Sequence, residues 1–231
     1  MTGWLGPAEW QAVALSLKVS LWATALSLPL GIFTAHALAR WEFRGKQIVN
    51  GLVHLPLVLP PVVTGYLLLL AFGASTWLGG ALETLGLGLA FRWTGAALAA
   101  AVMAFPLMVR AIRLSFEAVD PGLEEAAATL GASRLWVFVT VTLPLILPGV
   151  LAGSILAFAK AMGEFGATIT FVANIPGQTQ TLPSAVYAFL QVPGGESAAG
   201  RLVLVAIAIA LGALLLSEVL ARRVARRMGG A

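Results

Sequence analysis

Two charges interrupt an otherwise apolar stretch, "GSILAFAKAMGEFGATITFV", where Lys160 and Glu164 stand four residues apart. On a helix that spacing lets an ammonium and a carboxylate pair. At membrane depth such a pair serves one of three ends: a fold-holding bridge, an ion relay, or part of a wall past which an anion moves. Gly149, Gly153 and Leu156 fall on the same helical face, within about 80° at 100° per residue. From a helix start near residue 145, Lys160 lies about 22 Å and Glu164 about 28 Å along the axis, both in the half remote from that start. Glu164 repels an anion unless Lys160 neutralises it, which argues against a tight anion site; a structural pair and direct anion contact both stay open. Thr168, one turn on, and Thr64, after the Pro60-Pro61 pair, are the further polar candidates for a pathway.

The second constellation is "DPGLEEAAATLGASRLWVFVTVTLPL". Asp120 is placed to cap a helix, Pro121 suits its first position, and Glu124 and Glu125 sit where the helix dipole favours anions. Leu123, Ala126, Ala127 and Leu130 form a small apolar face. Gly131 is placed to take the left-handed conformation that ends the helix, and Ser133 to cap a second one running to Pro144. This is an amphipathic helix, turn and helix, which by pattern alone fits equally a surface element lying in the lipid interface.

Other chemistry is poorly provided for. The Gly45-Lys46 pair is followed by Gln47 and lacks the upstream glycine of a phosphate loop, so no nucleotide site is expected. His36 and His54 are isolated on different helices, without carboxylates at ligand spacing. Neither is expected to bind a metal, and the absence of cysteine removes thiolate ligands and nucleophiles. Catalysis by this chain alone is not expected.

These residues must be positioned by membrane helices. Of 231 residues, 59% are hydrophobic and 10% charged, with mean hydropathy +0.93, far from the one-quarter charged content of soluble domains. Long uninterrupted apolar runs exclude a β-barrel, whose strands alternate over about ten residues. Five spans are expected, about 11–39, 50–72, 94–114, 145–166 and 202–221, forming one all-α polytopic domain over 1–231. The stretches 167–173 and 182–190 are too short to cross and read as re-entrant or interfacial. Pro56, Pro60 and Pro61 must kink or break the second span. The opening "MTGWLGPAEW" has no basic n-region, so the first span is expected to stay rather than be cleaved. If that span ends in the cytoplasm, Arg40, Arg44, Lys46, Arg110, Arg113, Arg134, Arg222, Arg223, Arg226 and Arg227 are all cytoplasmic, ten of the fourteen basic residues. The N-terminus is then outside and the C-terminus inside. The tail "ARRVARR" reads as an anchor against anionic membrane lipid and calls for no nucleic acid.

Glu125-Ala126-Ala127, three residues, Gly131, nine residues, Val141, one residue and Leu143-Pro144 resemble the EAA signature of ABC importer permeases, with valine in place of its isoleucine. Further stretches, "HLPLVLPPVVTGYLLLL", "AAAVMAFPLMVRAIRLSFE", "GEFGATITFVANIPGQTQTLPSAVY" and "PGGES", are similar to the molybdate permeases, to which sulfate and thiosulfate permeases are related. The resemblance covers nearly the whole chain. It implies a type I importer permease in a bacterial inner membrane, a homodimer carrying two ATP-binding subunits and receiving oxyanion from a periplasmic or extracellular binding protein. Glu125, Ala126, Ala127, Gly131, Leu143 and Pro144 would then dock the ATPase, while Thr64, Lys160, Glu164 and Thr168 are the pathway candidates. ATP and magnesium would belong to the partner ATPase, leaving no cofactor in this chain. Cargo would be molybdate or tungstate, or sulfate or thiosulfate in the alternative. An ion-driven carrier or channel using Lys160 and Glu164 as its relay is the competing class, and no inverted repeat is visible to support it.

Overall fold

The chain is described by a computed structural model over residues 4–228, and all regular elements among the described residues are helices; 221, 222 and 224–228 are described as backbone only. The side chains of Arg222, Arg226 and Arg227 in the basic tail therefore lie outside the described residues, and Arg223 is exposed. Helix α1 spans Pro7–Arg40, α2 Lys46–Val58, α3 Pro61–Phe72 and α4 Trp77–Thr84; α5 spans Trp93–Ala118, α6 Pro121–Thr129 and α7 Arg134–Val137. A π-helical turn over Phe138–Thr142 joins α7 to α8, Leu143–Met162, so that residues 134–162 form one rod. Two short helices follow, α9 over Gly166–Val172 and α10 over Leu182–Leu190, and α11 over Glu196–Met228 closes the fold.

Helix α5 is the centre. Its alanines at 96, 97, 99, 100 and 104 are buried and keep its surface shallow, so that α1 and α8 approach closely around Met108, Ile112 and Phe116. Small residues do this work in lipid, where packing replaces the hydrophobic drive between helices. On α8, a side chain at Gly149 would collide with Ser115 of α5, and one at Gly153 would stand 3.1 Å from the Met108 carbonyl oxygen. The two-glycine face anticipated from spacing is the α5–α8 seam.

Among the described residues, four helices are long and apolar enough to cross a membrane: Pro7–Arg40, Trp93–Ala118, Arg134–Met162 and Glu196–Leu220. The expected second span is broken into α2 and α3, bent by 116°. The cause is Pro60, which adopts an extended conformation (φ −54°, ψ 134°), and Pro61, which starts the next helix without a donor. The fourth span also differs from the expected 145–166. It begins earlier, at Arg134, because the π turn carries the rod through Pro144, and it stops at Met162, because Gly163 and Glu164 turn the chain into α9. The second helix of the loop is thus the beginning of the span and has no end of its own.

Contacts at the helix ends fix the passes. Arg40, ending α1, donates to the Val119 carbonyl at 3.0 Å, so α1 and α5 finish at one face. The Lys18 ammonium stands 3.6 Å over the Trp93 ring at the start of α5, so the two helices run in parallel. Residues 41–92 must therefore return the chain to the first face, and α2 with α3 makes that pass. Glu9 near the start of α1 takes Arg201 of α11 at 2.9 Å, which puts the start of α11 at the same first face. Ser16 of α1 accepts the Leu182 backbone N–H at 2.6 Å, so α10 docks there without crossing.

Candidate functional site

The loop between α5 and α8 is built as its residues dictate. Asp120 accepts the Gly122 N–H at 2.9 Å and Pro121 opens α6. At the other end the Ala132 N–H reaches the Ala127 carbonyl at 3.3 Å and the Gly131 N–H reaches Ala128 at 3.0 Å, the paired bonds of a Schellman ending. Gly131 holds φ +88°, with nothing within 4 Å of where a Cβ would stand. Glycine is required here by the dihedral and not by space. Ser133 then caps α7 by accepting the Trp136 N–H at 3.3 Å.

The two glutamates of α6 line one recess beside α1 but differ in burial and partners. Glu124 is half-buried, accepts the Thr142 hydroxyl at 2.8 Å and lies 3.5 Å from Arg40, so one carboxylate ties α6 to the π turn and to the end of α1. Glu125 and Ala126 are exposed and Ala127 is half-buried. Leu130, 89% exposed, and Trp136, 62%, share an apolar surface with Ala127 and Gly131, while Leu135, 74% exposed, borders the recess beside α1. Leu143 packs on the main core, Val141 is half-buried, and Pro144 is exposed where the π turn passes into α8. The motif thus divides into an outward part, Glu125 to Gly131, and an inward anchor, Leu143, beside the exposed Pro144. Sequence reasoning missed Glu124, Thr142 and Arg40 as the tie. A basic residue ending a span was the only available signal, since the contacts span eighteen and eighty-four positions.

Lys160 and Glu164 are joined at 2.8 Å. Glu164 is 2% exposed, and its second oxygen accepts the Ala167 N–H at 3.0 Å, capping the first turn of α9. Thr168 is buried and spends its hydroxyl on the Phe165 carbonyl at 2.8 Å. On α3, Gly65 lies so close to α9 that a Cβ would stand 2.5 Å from the Ala167 carbonyl oxygen and 2.9 Å from Thr170. Its neighbour Thr64 is buried with a hydroxyl that finds no partner among the described residues. The α3–α9 crossing therefore gathers Thr64, Glu164 and Thr168, with Lys160 at its edge. Glu164 answers the Lys160 charge, and Thr168 presents no free donor.

His36 packs among Phe116, Trp41 and Phe138, with ring centroids 5.0, 5.7 and 6.0 Å away. His54 sits on α2, donating Nδ1–H to the Asn50 carbonyl at 2.9 Å.

Residues 27–230 match the family described as the binding-protein-dependent transport system inner membrane component. The chain is 60% identical over 222 residues to the molybdenum transport system permease protein ModB of Escherichia coli (strain K12), covering 96% of this chain and 97% of that protein. It is 56% identical over 222 residues to the protein of the same name in Haemophilus influenzae (strain ATCC 51907 / DSM 11121 / KW20 / Rd), with the same coverage. Among solved structures, a bacterial ABC transporter involved in the import of the acidic polysaccharide alginate superposes with a TM-score of 0.73 at 18% identity, over 94% of this chain and 80% of that one.

Proposed function

Because the chain belongs to the family of binding-protein-dependent transport system inner membrane components, we propose that it carries molybdate, with tungstate as its chemical neighbour, through a membrane pathway formed by two copies. It is the non-catalytic permease subunit of an ABC importer, a multi-pass membrane protein that works with ATPase subunits and a binding protein. The finer reading is a homodimer over one continuous domain, 1–231, bearing two ATPases on the face where α6 lies and receiving loaded binding protein on the opposite face. That orientation, N-terminus outside and C-terminus in the cytoplasm, is supported by the basic residues gathered at the α6 face.

The observation that carries the coupling role is the outward apolar surface of the loop: Leu130 and Trp136 protrude beside Glu125 and Ala126. A groove on the ATPase covers that surface, while Leu143-Pro144 passes its displacement straight into α8 through an unbroken rod. The cargo assignment rests on 60% identity across nearly the whole chain to a molybdenum permease. The α3–α9 crossing fits a lane better than a trap, because Glu164 already neutralises Lys160 and a site that must release its anion cannot bind it tightly. Affinity then belongs to the binding protein, and the ATPases drive the permease pair between two states that differ in their contacts.

The test is uptake into vesicles containing permease, ATPase and binding protein. Labelled molybdate should accumulate only with ATP, and excess tungstate should compete while sulfate should not. Accumulation that survives omission of the ATPase would sink the importer reading in favour of an ion-driven carrier, and preferential uptake of sulfate would move the cargo.

A further inference from the structure

We propose that Arg110, in a polar recess between α2 and α5, is an oxyanion station on the translocation path, nearer the coupling-loop face than Lys160. The inference rests on the importer reading above, and on a set of residues that reading leaves unused. The recess has a volume of about 240 Å³ and is lined by Asn50, His54, Arg110, Arg113, Leu114 and Glu117. That is room for several waters, the scale of a small hydrated anion.

Two polar edges meet there. On α2, Lys46, Asn50 and His54 recur every four residues and so share one side of the helix; on α5, Arg110, Arg113 and Glu117 recur at three and four. The edges are joined by Arg113, whose Nη1 donates to Asn50 Oδ1 at 3.2 Å and whose Nε donates to Glu117 at 2.7 Å. Arg113 is thereby held and neutralised. Arg110 is exposed, and among the described residues it has no carboxylate and no hydrogen-bond partner. With Arg113 and Glu117 cancelling, the recess keeps one uncompensated positive charge.

Depth and company separate this from an ordinary anchor. Arg110 lies eight residues before Ala118, about 12 Å from the coupling-loop end of α5. The helix, about 39 Å long, exceeds a hydrocarbon core of about 30 Å by only a few ångströms at each end, so Arg110 is attached inside that core. Charges there face a bundle interior or an aqueous cavity. Helix α2 buries none of its residues within the protomer, yet its polar edge is turned to the same recess. A polar edge against lipid is unfavourable; against a water-filled lane it is at home. Lys160 spends its charge on Glu164, whereas Arg110 has its charge to offer. One guanidinium in an open recess draws a dianion without enclosing it, as passage requires.

Lipid phosphate shares the chemistry of the cargo, and the experiment separates the two. The chain has no cysteine, so R110C supplies a unique thiol. In vesicles with the ATPase and binding protein, R110C should lower molybdate uptake about tenfold, as loss of an intramembrane charge on the path implies. Stimulation of ATP hydrolysis by loaded binding protein should persist, showing that the variant folds and docks. Treatment with 2-aminoethyl methanethiosulfonate, which restores a positive charge, should recover uptake, and methyl methanethiosulfonate should not; R110K should stay near the unsubstituted protein. Unchanged uptake by R110C, or equal recovery with the neutral reagent, overturns the proposal. So does a fall of the unsubstituted protein to the R110C level when anionic lipid is replaced by phosphatidylcholine, since Arg110 would then be holding lipid. Should the unsubstituted complex ignore molybdate and carry sulfate, the cargo assignment fails alone, and the same comparison is read with sulfate.

Discussion

Adjacent glutamates in α6 do different jobs, and their substitution should separate them. Glu124 bonds Thr142 and Arg40, so Glu124→Ala frees α6 from both the span behind it and the end of α1, leaving the Thr142 hydroxyl buried without its acceptor at a cost of about 1–3 kcal/mol. Glu125 is exposed, and its charge near the helix N-terminus contributes less than about 1 kcal/mol. We expect Glu124→Ala to abolish stimulation of the partner ATPase by loaded binding protein and Glu125→Gln to retain most of it. Equal losses would show that the exposed carboxylate carries a direct contact to the ATPase. Gly131→Val provides the companion case. Its cost is the left-handed dihedral alone, about 1–2 kcal/mol, because no neighbour crowds the position. The variant should insert and dimerise normally but lose the stimulation, and normal transport by it would remove this loop from the coupling path.

At the scale of elements, the junction of α8 and α9 holds a buried carboxylate with two partners, Lys160 and the Ala167 N–H. Lys160→Met leaves that charge buried with only a backbone donor, a loss that runs to about 3–5 kcal/mol for buried pairs. Glu164→Gln keeps an acceptor for Ala167 and should be milder. The double variant should recover thermal stability and uptake beyond Lys160→Met alone if the pair serves the fold, which is the outcome the geometry favours. Persistent loss of uptake in a stable double variant would instead give Lys160 a place on the path. The sequence made this pair legible because both members lie on one helical face, as it did the break before Pro61, the Asp120 and Ser133 caps and the left-handed Gly131, all local events. The continuous rod from Arg134 to Met162 was not legible. Pro144 reads as a boundary, and only the π turn ahead of it lets the helix pass. Nor could spacing reveal that Glu124 meets Arg40 or that Gly65 meets Ala167, since such contacts depend on how whole helices cross.

At the scale of the molecule, five passes follow from end contacts, and their direction relative to the cytoplasm is open to a direct test. Arg40 meets Val119 at one face, while Glu9 meets Arg201 at the other. The basic residues at the Arg40 face predict that it is cytoplasmic. Thr129, near the end of α6, and Ser197, in the first turn of α11, are both exposed. Neither holds a left-handed backbone conformation, and the native chain contributes no competing thiol. In intact cells, Thr129→Cys should resist a membrane-impermeant maleimide and Ser197→Cys should react; in inverted vesicles the pattern should reverse. If both react from one side, residues 134–195 return the chain to the face from which it came. The rod from Arg134 to Met162 would then have to dip into the membrane and come back. A straight helix of 29 residues, about 43 Å long, cannot do that, so such a result would refute the arrangement of helices and not merely its orientation. If both react in the reverse of the expected pattern, the helices stand as described, but α6 faces outward, where no ATPase can reach it, and the coupling role of the loop falls with the orientation.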